Sequence, residues 1–304
     1  MKVIAMGVHV LDVLVRPVES IPEGQGGQLV DEIRVTPAGT AGGTAVILAK
    51  LGAEVRSAGA IGTDAAGDML LGLLGSHGID TSMLVRREDA QTSASVLPIR
   101  PNGDRPAFHV VGANGTYGPD DVDREAVAAT DYLHVGGPEF IGGEALLPVL
   151  EHARENGTVT SADVLAPGEP GLLEWIAPAF PGLDYLLPND EQVLAFTGKD
   201  DLVEGCRALI ERGVDCVAAT RGAEGVVIVD ADSVLEVPAF SIEAVDTTGC
   251  GDAFSAGFLR GLAEGRDRRA AATLGCATAA LVAQGLGTDA GDYDLAAADA
   301  FAER

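Results

Sequence analysis

The sequence predicts an α/β protein in which a mainly parallel sheet is covered by helices on both faces. The first observation is the regular alternation of short apolar segments and helical patterns after residue 131. The second is the length of 304 residues, which is enough for one large domain, so we treat residues 1–304 as a single unit. The predicted strands of the main sheet lie at 2–6, 132–135, 158–162, 185–187, 216–220 and 226–229, and the helices at 66–76, 142–156, 189–197, 202–212 and 268–283.

A third observation is that the N-terminal third interrupts this rhythm. Apolar and polar residues alternate there with the period of half-buried strands, and Asn102-Gly103 is a turn signal between two of them. These pieces, at about 13–36 and 92–112, fit a small β-sheet lid over a ligand site, and a lid of this kind excludes water. Polar lid residues such as Thr92, Ser93, Arg100 and Arg105 would contact the substrate or face solvent. The alternating segments are 8–15, 28–35, 92–99 and 106–111.

The composition argues against several classes of protein. The formal net charge is −26, and only three of the 20 Lys and Arg residues are lysines, which disfavours binding to nucleic acids. No apolar run approaches the roughly 20 residues of a membrane span, and the first residues lack a signal-peptide pattern, so we expect a cytoplasmic protein with no membrane partner. The four scattered cysteines fit reduced thiols. The acidic, Lys-poor composition fits either adaptation to concentrated salt or an ordinary acidic enzyme.

The chain is organised around residues 246–258, which begin polar and Gly-rich and continue as an apolar helical pattern. A helix start carries unpaired N–H groups and a partial positive charge, and Gly249 and Gly251 let a ligand approach them. These features predict an anion site, most often for phosphate. Asp252 within it is either a base that takes a proton from a hydroxyl group or an ordinary acid of a first helical turn.

The motif Asp-Thr-x-Gly-x-Gly-Asp followed by an apolar helix resembles the C-terminal signature of the PfkB/ribokinase family of carbohydrate kinases, and other matches follow in the family's order along nearly the whole chain. The resemblance implies a ribokinase-like fold with a β lid. It also implies transfer of the ATP γ-phosphoryl group to a primary hydroxyl of a sugar or sugar-like acceptor, of the ribokinase, fructokinase or 2-keto-3-deoxygluconate kinase type. Mg²⁺ would bridge the phosphates, Asp252 would be the base, and the backbone N–H groups of Gly249, Cys250, Gly251 and Asp252 would form the anion hole.

The acceptor site implied by the resemblance lies in two N-terminal segments. Asp12 would hold sugar hydroxyls, although a strand-edge aspartate facing water has the same pattern. The glycines before the helix at 46–52 would lie against the substrate or would serve close helix packing. The chain departs from the family pattern at Gly43, where Asn is usual, and this affects the expected substrate more than the reaction. The implied acceptor residues are Asp12, Gly39, Thr40, Gly42 and Gly43.

The nucleotide side of the site is implied by two further matches. Thr220-Arg221-Gly222 with Gly225 resembles the family segment that borders the phosphates, although alone it is a Gly turn. Asn189 follows a strand, but Gln192 stands where the family has Glu, so Glu191 would replace it in water-mediated contact with Mg²⁺, or the metal would be held mainly by ATP. An ordinary helix cap has the same pattern. The implied nucleotide-binding residues are Asn189, Thr220, Gly222, Gly225, Gly249 and Gly251.

Asp246 is a candidate ligand for a monovalent cation, K⁺ in ribokinase-like proteins, or a turn-forming residue at a strand end.

The main alternative function is that of a nucleoside kinase of the same family, which the missing Asn at position 43 permits. A dinucleotide-dependent oxidoreductase lacks its Gly-x-Gly-x-x-Gly after the first strand. A non-catalytic sugar-binding relative is disfavoured because both Asp12 and Asp252 are present. An exposed lid edge would also permit a homodimer.

Overall fold

The computed structural model describes residues 1–101, 104–168 and 170–304, so the predicted Asn102-Gly103 turn lies outside the described residues. The described strands are β1 (Lys2–Gly7), β2 (Val10–Arg16), β3 (Glu32–Ala38), β4 (Glu54–Gly62), β5 (Asp80–Arg87), β6 (Ala94–Pro98), β7 (Phe108–Val110), β8 (Tyr132–Gly136), β9 (Val159–Asp163), β10 (Tyr185–Leu186), β11 (Cys216–Thr220), β12 (Val226–Asp230) and β13 (Val234–Val237). The described helices are α1 (Thr40–Lys50), α2 (Ala65–Ser76), α3 (Arg124–Ala128), α4 (Gly143–Glu155), α5 (Pro170–Ile176), α6 (Asp190–Thr197), α7 (Leu202–Ile210), α8 (Cys250–Ala263), α9 (Arg268–Ala283) and α10 (Leu295–Ala302).

The large sheet has nine strands in the order β13-β12-β11-β10-β9-β8-β1-β4-β5. Its strands pair in parallel from β5 to β11, and only β12 and β13 add antiparallel pairs at one edge. Apolar side chains of α1, α8 and α9 pack in one cluster, and those of α4, α6 and α7 pack in another. The predicted α/β architecture is therefore confirmed.

The second sheet has four strands in the order β3-β2-β6-β7. Several boundaries differ from the predicted ones. The strand expected at 28–35 is β3 at Glu32–Ala38, and the one expected at 8–15 is β2, which begins at Val10. The helix expected at 46–52 begins at Thr40, because Gly39 takes φ +87° and allows the chain to enter α1 directly from β3.

The carboxyl edge of the sheet is where the chain brings α1 close to the strands. Gly7, Gly136 and Asp163 end β1, β8 and β9 in register. Gly136 faces the first residues of α1, and a Cβ built on it would overlap the backbone of Thr40 and Ala41. A glycine at this position therefore lets the segment that begins α1 lie directly on the strand ends, next to Asp163.

Candidate active site

The segment predicted to form an anion site is the start of α8. Gly249 caps the helix in the left-handed region, with φ +77°, and a Cβ there would come within 2.6 Å of the Thr288 hydroxyl oxygen. The carbonyl of Gly249 accepts from the N–H of Ala253 at 2.8 Å, so the helix begins at Cys250. Asp252 is partly buried in the first turn. The first-turn N–H groups therefore surround a point next to a carboxyl group.

Asp252 belongs to a cluster of carboxyl groups from three elements. Burial raises the pKa of Asp252 well above its ordinary value, and the nearby charges of Asp163 and Asp12 raise it further, while Arg105 lowers it. Asp12 in β2 and Asp163 at the end of β9 are both buried. This arrangement brings the lid, the sheet and α8 together around one recess, which we call the bay and which is bordered by Asp12, Asp163 and Asp252.

The other two carboxyl groups are also harder to ionise than usual. Burial raises the pKa of Asp163 to about 7, with a further increase from the charge of Glu139, although the Ser255 hydroxyl donates to its Oδ2 at 3.3 Å. Burial raises the pKa of Asp12 to about 6, against a hydrogen bond from Ser95. A carboxyl group with a raised pKa is a better proton acceptor near neutral pH, which suits a general base.

Arg105 connects the lid to residues 246–252, which we call the anion loop. Its Nη1 donates to the Thr248 hydroxyl at 2.7 Å, across 143 residues of chain. Its charge lowers the pKa of Asp12 and Asp252, so it faces the same bay. The sequence left this side chain either contacting a ligand or facing solvent, and the structure places it against the anion loop. Arg105 is therefore suited to meet negative charge that develops there.

Asp246 joins two loops. Its Oδ1 accepts from the N–H and the hydroxyl of Thr248, at 3.0 and 2.8 Å, and its Oδ2 accepts from the N–H of Gly287 at 2.9 Å. These three donors give the buried carboxylate a structural role. A monovalent cation at Asp246 stays a prediction. Within the part of the chain that the structure describes, three or more His, Cys, Asp and Glu residues do not gather into a metal cage.

The predicted acceptor segment lies against these groups. Gly42 packs on His9, and Gly43 packs on Asp252, where a Cβ would lie 2.8 Å from the carboxyl carbon. The hydroxyl of Thr40 is buried and has no hydrogen-bond partner among the described residues. The structure thus brings 40–43, Asp12 and Asp252 together.

Glu139 is a residue of the bay that sequence reasoning missed. It follows β8, and its Oε1 accepts from the N–H groups of Leu165 and Ala166 at 2.9 and 2.7 Å. Its Oε2 is buried without a hydrogen-bond partner among the described residues. Burial raises its pKa. The available signal was its position, since acids that follow a parallel strand lie at the ligand edge of the sheet.

The predicted nucleotide residues lie along the next strands. Asn189 and Thr220 form a bridge between the segments after β10 and β11. Asn189 caps α6, with its side chain accepting from the N–H of Gln192 at 2.8 Å, and Gln192 donates to the carbonyls of Val164 and Ala166, both at 2.9 Å. Glu191 is exposed. Gln192 is therefore a buried structural clamp in the position where the family has Glu.

The turn between β11 and β12 carries the other predicted residues. Gly222 and Gly225 take φ values of +53° and +97°, so both need glycine conformations. Arg221 pairs with Glu236 at 3.0 Å and with Glu224 at 3.7 Å. Its charge is thus shared with two carboxylates in this structure.

A helix start with unpaired N–H groups, a carboxyl group beside it, the carboxyl edge of a parallel sheet and a second, smaller sheet are together the features of a phosphotransferase with an alcohol group as acceptor. The chain belongs to the pfkB family of carbohydrate kinases, whose family model matches residues 3–294. The resemblance found in the sequence is thereby confirmed. Among the described residues, no helix combines the length and apolar character needed to cross a membrane.

Several proteins match this chain over nearly the whole length of both sequences. A deoxyribokinase from Salmonella typhi is 26% identical over 293 residues, which is 95% of this chain and 94% of that protein. A nucleoside kinase from Methanothermobacter thermautotrophicus is 26% identical over 94% of this chain and 90% of its own length. The ribokinase structure from Thermotoga maritima superposes with a TM-score of 0.82 and 25% identity, over 100% of this chain and 99% of that one. The ribokinase-like fold is thus confirmed.

Proposed function

We propose that this protein transfers the γ-phosphoryl group of ATP to a primary hydroxyl of an uncharged sugar or sugar-like acceptor. The observation that carries the proposal is the position of Asp252, in the first turn of α8 and in the bay shared with Asp12 and Asp163. A base is needed to take the proton of the hydroxyl, and N–H groups are needed to stabilise the moving charge. Both are adjacent in this arrangement.

Each part of the site has a role in this proposal. Asp252 accepts the proton of the attacking hydroxyl, and Asp12 orients the acceptor through its two oxygens. The N–H groups at 249–252 hold the transferred group. Arg105 adds positive charge from the lid. Closure of the lid over the site excludes water. Mg²⁺, when bound with ATP, neutralises phosphate charge. The exposed position of Glu191 fits a metal held mainly by the nucleotide, because Mg²⁺ needs few protein ligands.

The charge of the bay supports an uncharged acceptor. Asp12, Glu139, Asp163 and Asp252 all face it, and none of the four forms an ion pair within 4.0 Å among the described residues. Each of these groups that is ionised would repel a carboxylate or phosphate on the acceptor, and those that are protonated offer it no positive charge. Neutral hydroxyl groups would instead donate to these oxygens. An acidic sugar such as 2-keto-3-deoxygluconate is therefore a poorer candidate than a neutral one.

A nucleoside acceptor is the second candidate. Gly43 has no side chain to read a sugar hydroxyl, and one relative of nearly full length is a nucleoside kinase. The two candidates are separated by assaying a panel of acceptors with ATP. The panel contains ribose, fructose, adenosine, cytidine, pseudouridine and 2-keto-3-deoxygluconate, and the readouts are the rate of ADP release and the mass of the product. We expect a neutral acceptor to give the highest kcat/KM. A preference for the acidic sugar, or no phosphorylated product from any acceptor, would contradict the proposal.

We also propose a homodimer formed through the outer face of the lid sheet. Val35, Val13, Val96 and Phe108 lie opposite one another across four strands and form one apolar row. Phe108 is 60% exposed, and Ile33 beside the row is 63% exposed. Apolar side chains on an exposed sheet favour association.

The dimer is tested by light scattering after size exclusion. Phe108→Lys is expected to convert a dimer to a monomer, whereas Leu29→Lys, at a fully exposed position outside the strands, is expected to change nothing. A wild-type monomer at micromolar concentration would contradict this part of the proposal.

A cytoplasmic location and a K⁺ ion at Asp246 also belong to the proposal. The four free cysteines fit the former, and the buried position of the Asp246 carboxyl group fits the latter.

A further inference from the structure

Lys50 ends α1, and its ammonium group lies in a cradle of main-chain carbonyls. Nζ donates to the carbonyl oxygens of Asp289, Ala290 and Gly291, at 2.6, 3.1 and 2.6 Å. The ring of Tyr293 lies under the charge, with its centroid 4.8 Å from Nζ. Three consecutive carbonyls and an aromatic face are surroundings suited to a bound cation. Here the chain supplies that cation itself.

The residue type at this position is unusual for this chain. Lysine accounts for three of its 20 Lys and Arg residues, which leaves 17 arginines. The other two lysines, Lys2 and Lys199, are exposed. An ammonium group has three donors that diverge from one point, whereas a guanidinium group is a flat fork that fits two parallel acceptors. The geometry at Lys50 therefore requires lysine, and arginine would not satisfy all three carbonyls.

The carbonyls belong to residues 286–291, which we call the backing loop because it lies behind the anion loop. Thr288 packs directly on Gly249 and Gly43. A Cβ added to Gly249 would lie 2.6 Å from the Thr288 hydroxyl oxygen, and a Cβ added to Gly43 would lie 2.8 Å from the Thr288 methyl group. The N–H of Gly287 donates to the Asp246 carboxylate at 2.9 Å. A displacement of the backing loop would therefore reach both the anion hole and the acceptor segment.

The same loop is held on its other side by the lid. The Asp289 carboxylate accepts from the Thr36 hydroxyl at 2.7 Å and from Arg34 at 2.9 Å, both in β3. Lys50 is partly buried, and burial lowers its pKa, an effect opposed by the charge of Asp289. Lys50 thus binds the main chain of the loop while β3 binds the side chain of Asp289. Loss of the ammonium group would leave three carbonyls without their donor.

We propose that Lys50 is a positioning residue, a tethered internal cation that holds the backing loop against the anion loop and thereby sets the affinity for ATP. The inference rests on the proposed use of ATP at the start of α8. It does not depend on the identity of the acceptor.

The test is calorimetric titration of the purified protein with MgATP in the absence of acceptor. We expect Lys50→Ala to raise the Kd for ATP roughly tenfold or more, because three hydrogen bonds to the loop are lost. Ethylammonium ions, which fit the space left by the side chain and donate N–H bonds, are expected to restore most of the affinity. Tetramethylammonium at the same concentration has no N–H donor and is expected to restore none. Lys50→Arg is expected to recover affinity only in part.

Lys199→Ala, at an exposed lysine, is the matched control for loss of one positive charge and is expected to bind ATP like the wild type. The proposal is overturned if Lys50→Ala binds ATP within twofold of the wild type, or if ethylammonium and tetramethylammonium act alike. Lys50→Met keeps an apolar stem over Tyr293, and circular dichroism reports folding of both variants. If neither folds, Lys50 serves global stability and the proposal fails. A wild type that does not bind ATP would instead refute the proposed function, and this inference with it.

Discussion

Gly43 lies directly against the carboxyl group of Asp252, so that the space a side chain at position 43 would fill is occupied by the proposed base. A Cβ on Gly43 would lie 2.8 Å from the carboxyl carbon of Asp252 and 2.8 Å from the methyl group of Thr288. The departure from the family pattern at this position therefore changes more than one substrate contact. It determines where the carboxyl group of Asp252 lies.

The first prediction concerns this contact. Gly43→Ala is expected to lower kcat about tenfold to a hundredfold, because the added carbon displaces the Asp252 carboxyl group from the acceptor. Gly43→Asn, which restores the residue usual in the family, is expected to be at least as harmful. Steady-state kinetics with the best acceptor measures both. Gly75→Ala in α2 is the control, since a Cβ there meets nothing within 4 Å. Unchanged kcat in Gly43→Ala would show that the carboxyl group adapts without cost.

The second prediction concerns Asp252 itself. Asp252→Asn is expected to lower kcat on the order of 10³-fold or more, because the amide cannot accept the proton of the acceptor. Its melting temperature is expected to stay at or above that of the wild type, since a neutral amide replaces the buried carboxyl group beside Asp163 and Asp12. Calorimetry and kinetics on the same preparation check both outcomes. A folded Asp252→Asn protein with near-normal kcat would refute the assignment of the base.

The third prediction concerns pH. The pKa is about 7 for Asp163 and about 6 for Asp12 in the folded protein, against a usual value of 3.8. The folded state therefore keeps protons that the unfolded state has lost between about pH 4 and pH 7, so these groups make the free energy of unfolding fall as pH rises through that window. Relative to the wild type, Asp163→Asn is expected to become progressively more stable from about pH 4 to pH 7.

Denaturant unfolding at several pH values measures this difference. Asp31→Asn, at an exposed position, serves as the control and is expected to follow the wild type at every pH. A difference between Asp163→Asn and the wild type that stays constant with pH would mean that Asp163 is not protonated in the folded state. In the same range, kcat/KM of the wild type is expected to rise with pH, because Asp252 must be ionised to act as a base.

The fourth prediction concerns the lid. Arg105→Ala is expected to lower kcat/KM for ATP about tenfold to a hundredfold, because the variant loses the hydrogen bond to Thr248 and a positive charge near the transferred group. Arg100→Ala in the same lid segment is the control, since Arg100 pairs with Asp104 at 3.7 Å. Equal effects of the two substitutions would indicate a nonspecific effect of lid charge.

The fifth prediction concerns salt. With a net charge of −26, repulsion between carboxylates destabilises the folded state, and salt screens it, since the Debye length falls to roughly 3 Å at 1 M. The melting temperature and the activity are expected to rise as KCl increases from dilute to molar concentration. Tetramethylammonium chloride at equal ionic strength separates screening from a specific K⁺ effect. Stability and activity that fall over this range would contradict adaptation to salt.

Local features of the site were predicted well. The start of α8 and the alternation of strands and helices along the chain are set by neighbouring residues, so short patterns reveal them. Glu139 and Lys50 were missed for the opposite reason. Glu139 binds N–H groups 26 and 27 residues away, and Lys50 binds carbonyls 239 to 241 residues away. The role of Gln192 was missed as well, because its contacts with the carbonyls of Val164 and Ala166 span 26 to 28 residues of chain.

The sequence by itself determined the alternation of strands and helices, the Gly-rich turn before α8 and the strongly acidic composition, because each is a property of residue types and their spacing. Only the tertiary structure decided that Asp12, Asp163 and Asp252 share one bay, that Gly43 makes room for a carboxyl group, and that Lys50 holds the backing loop. The physical reason is that desolvation, charge repulsion and steric exclusion act through space, over distances set by packing and not by separation along the chain.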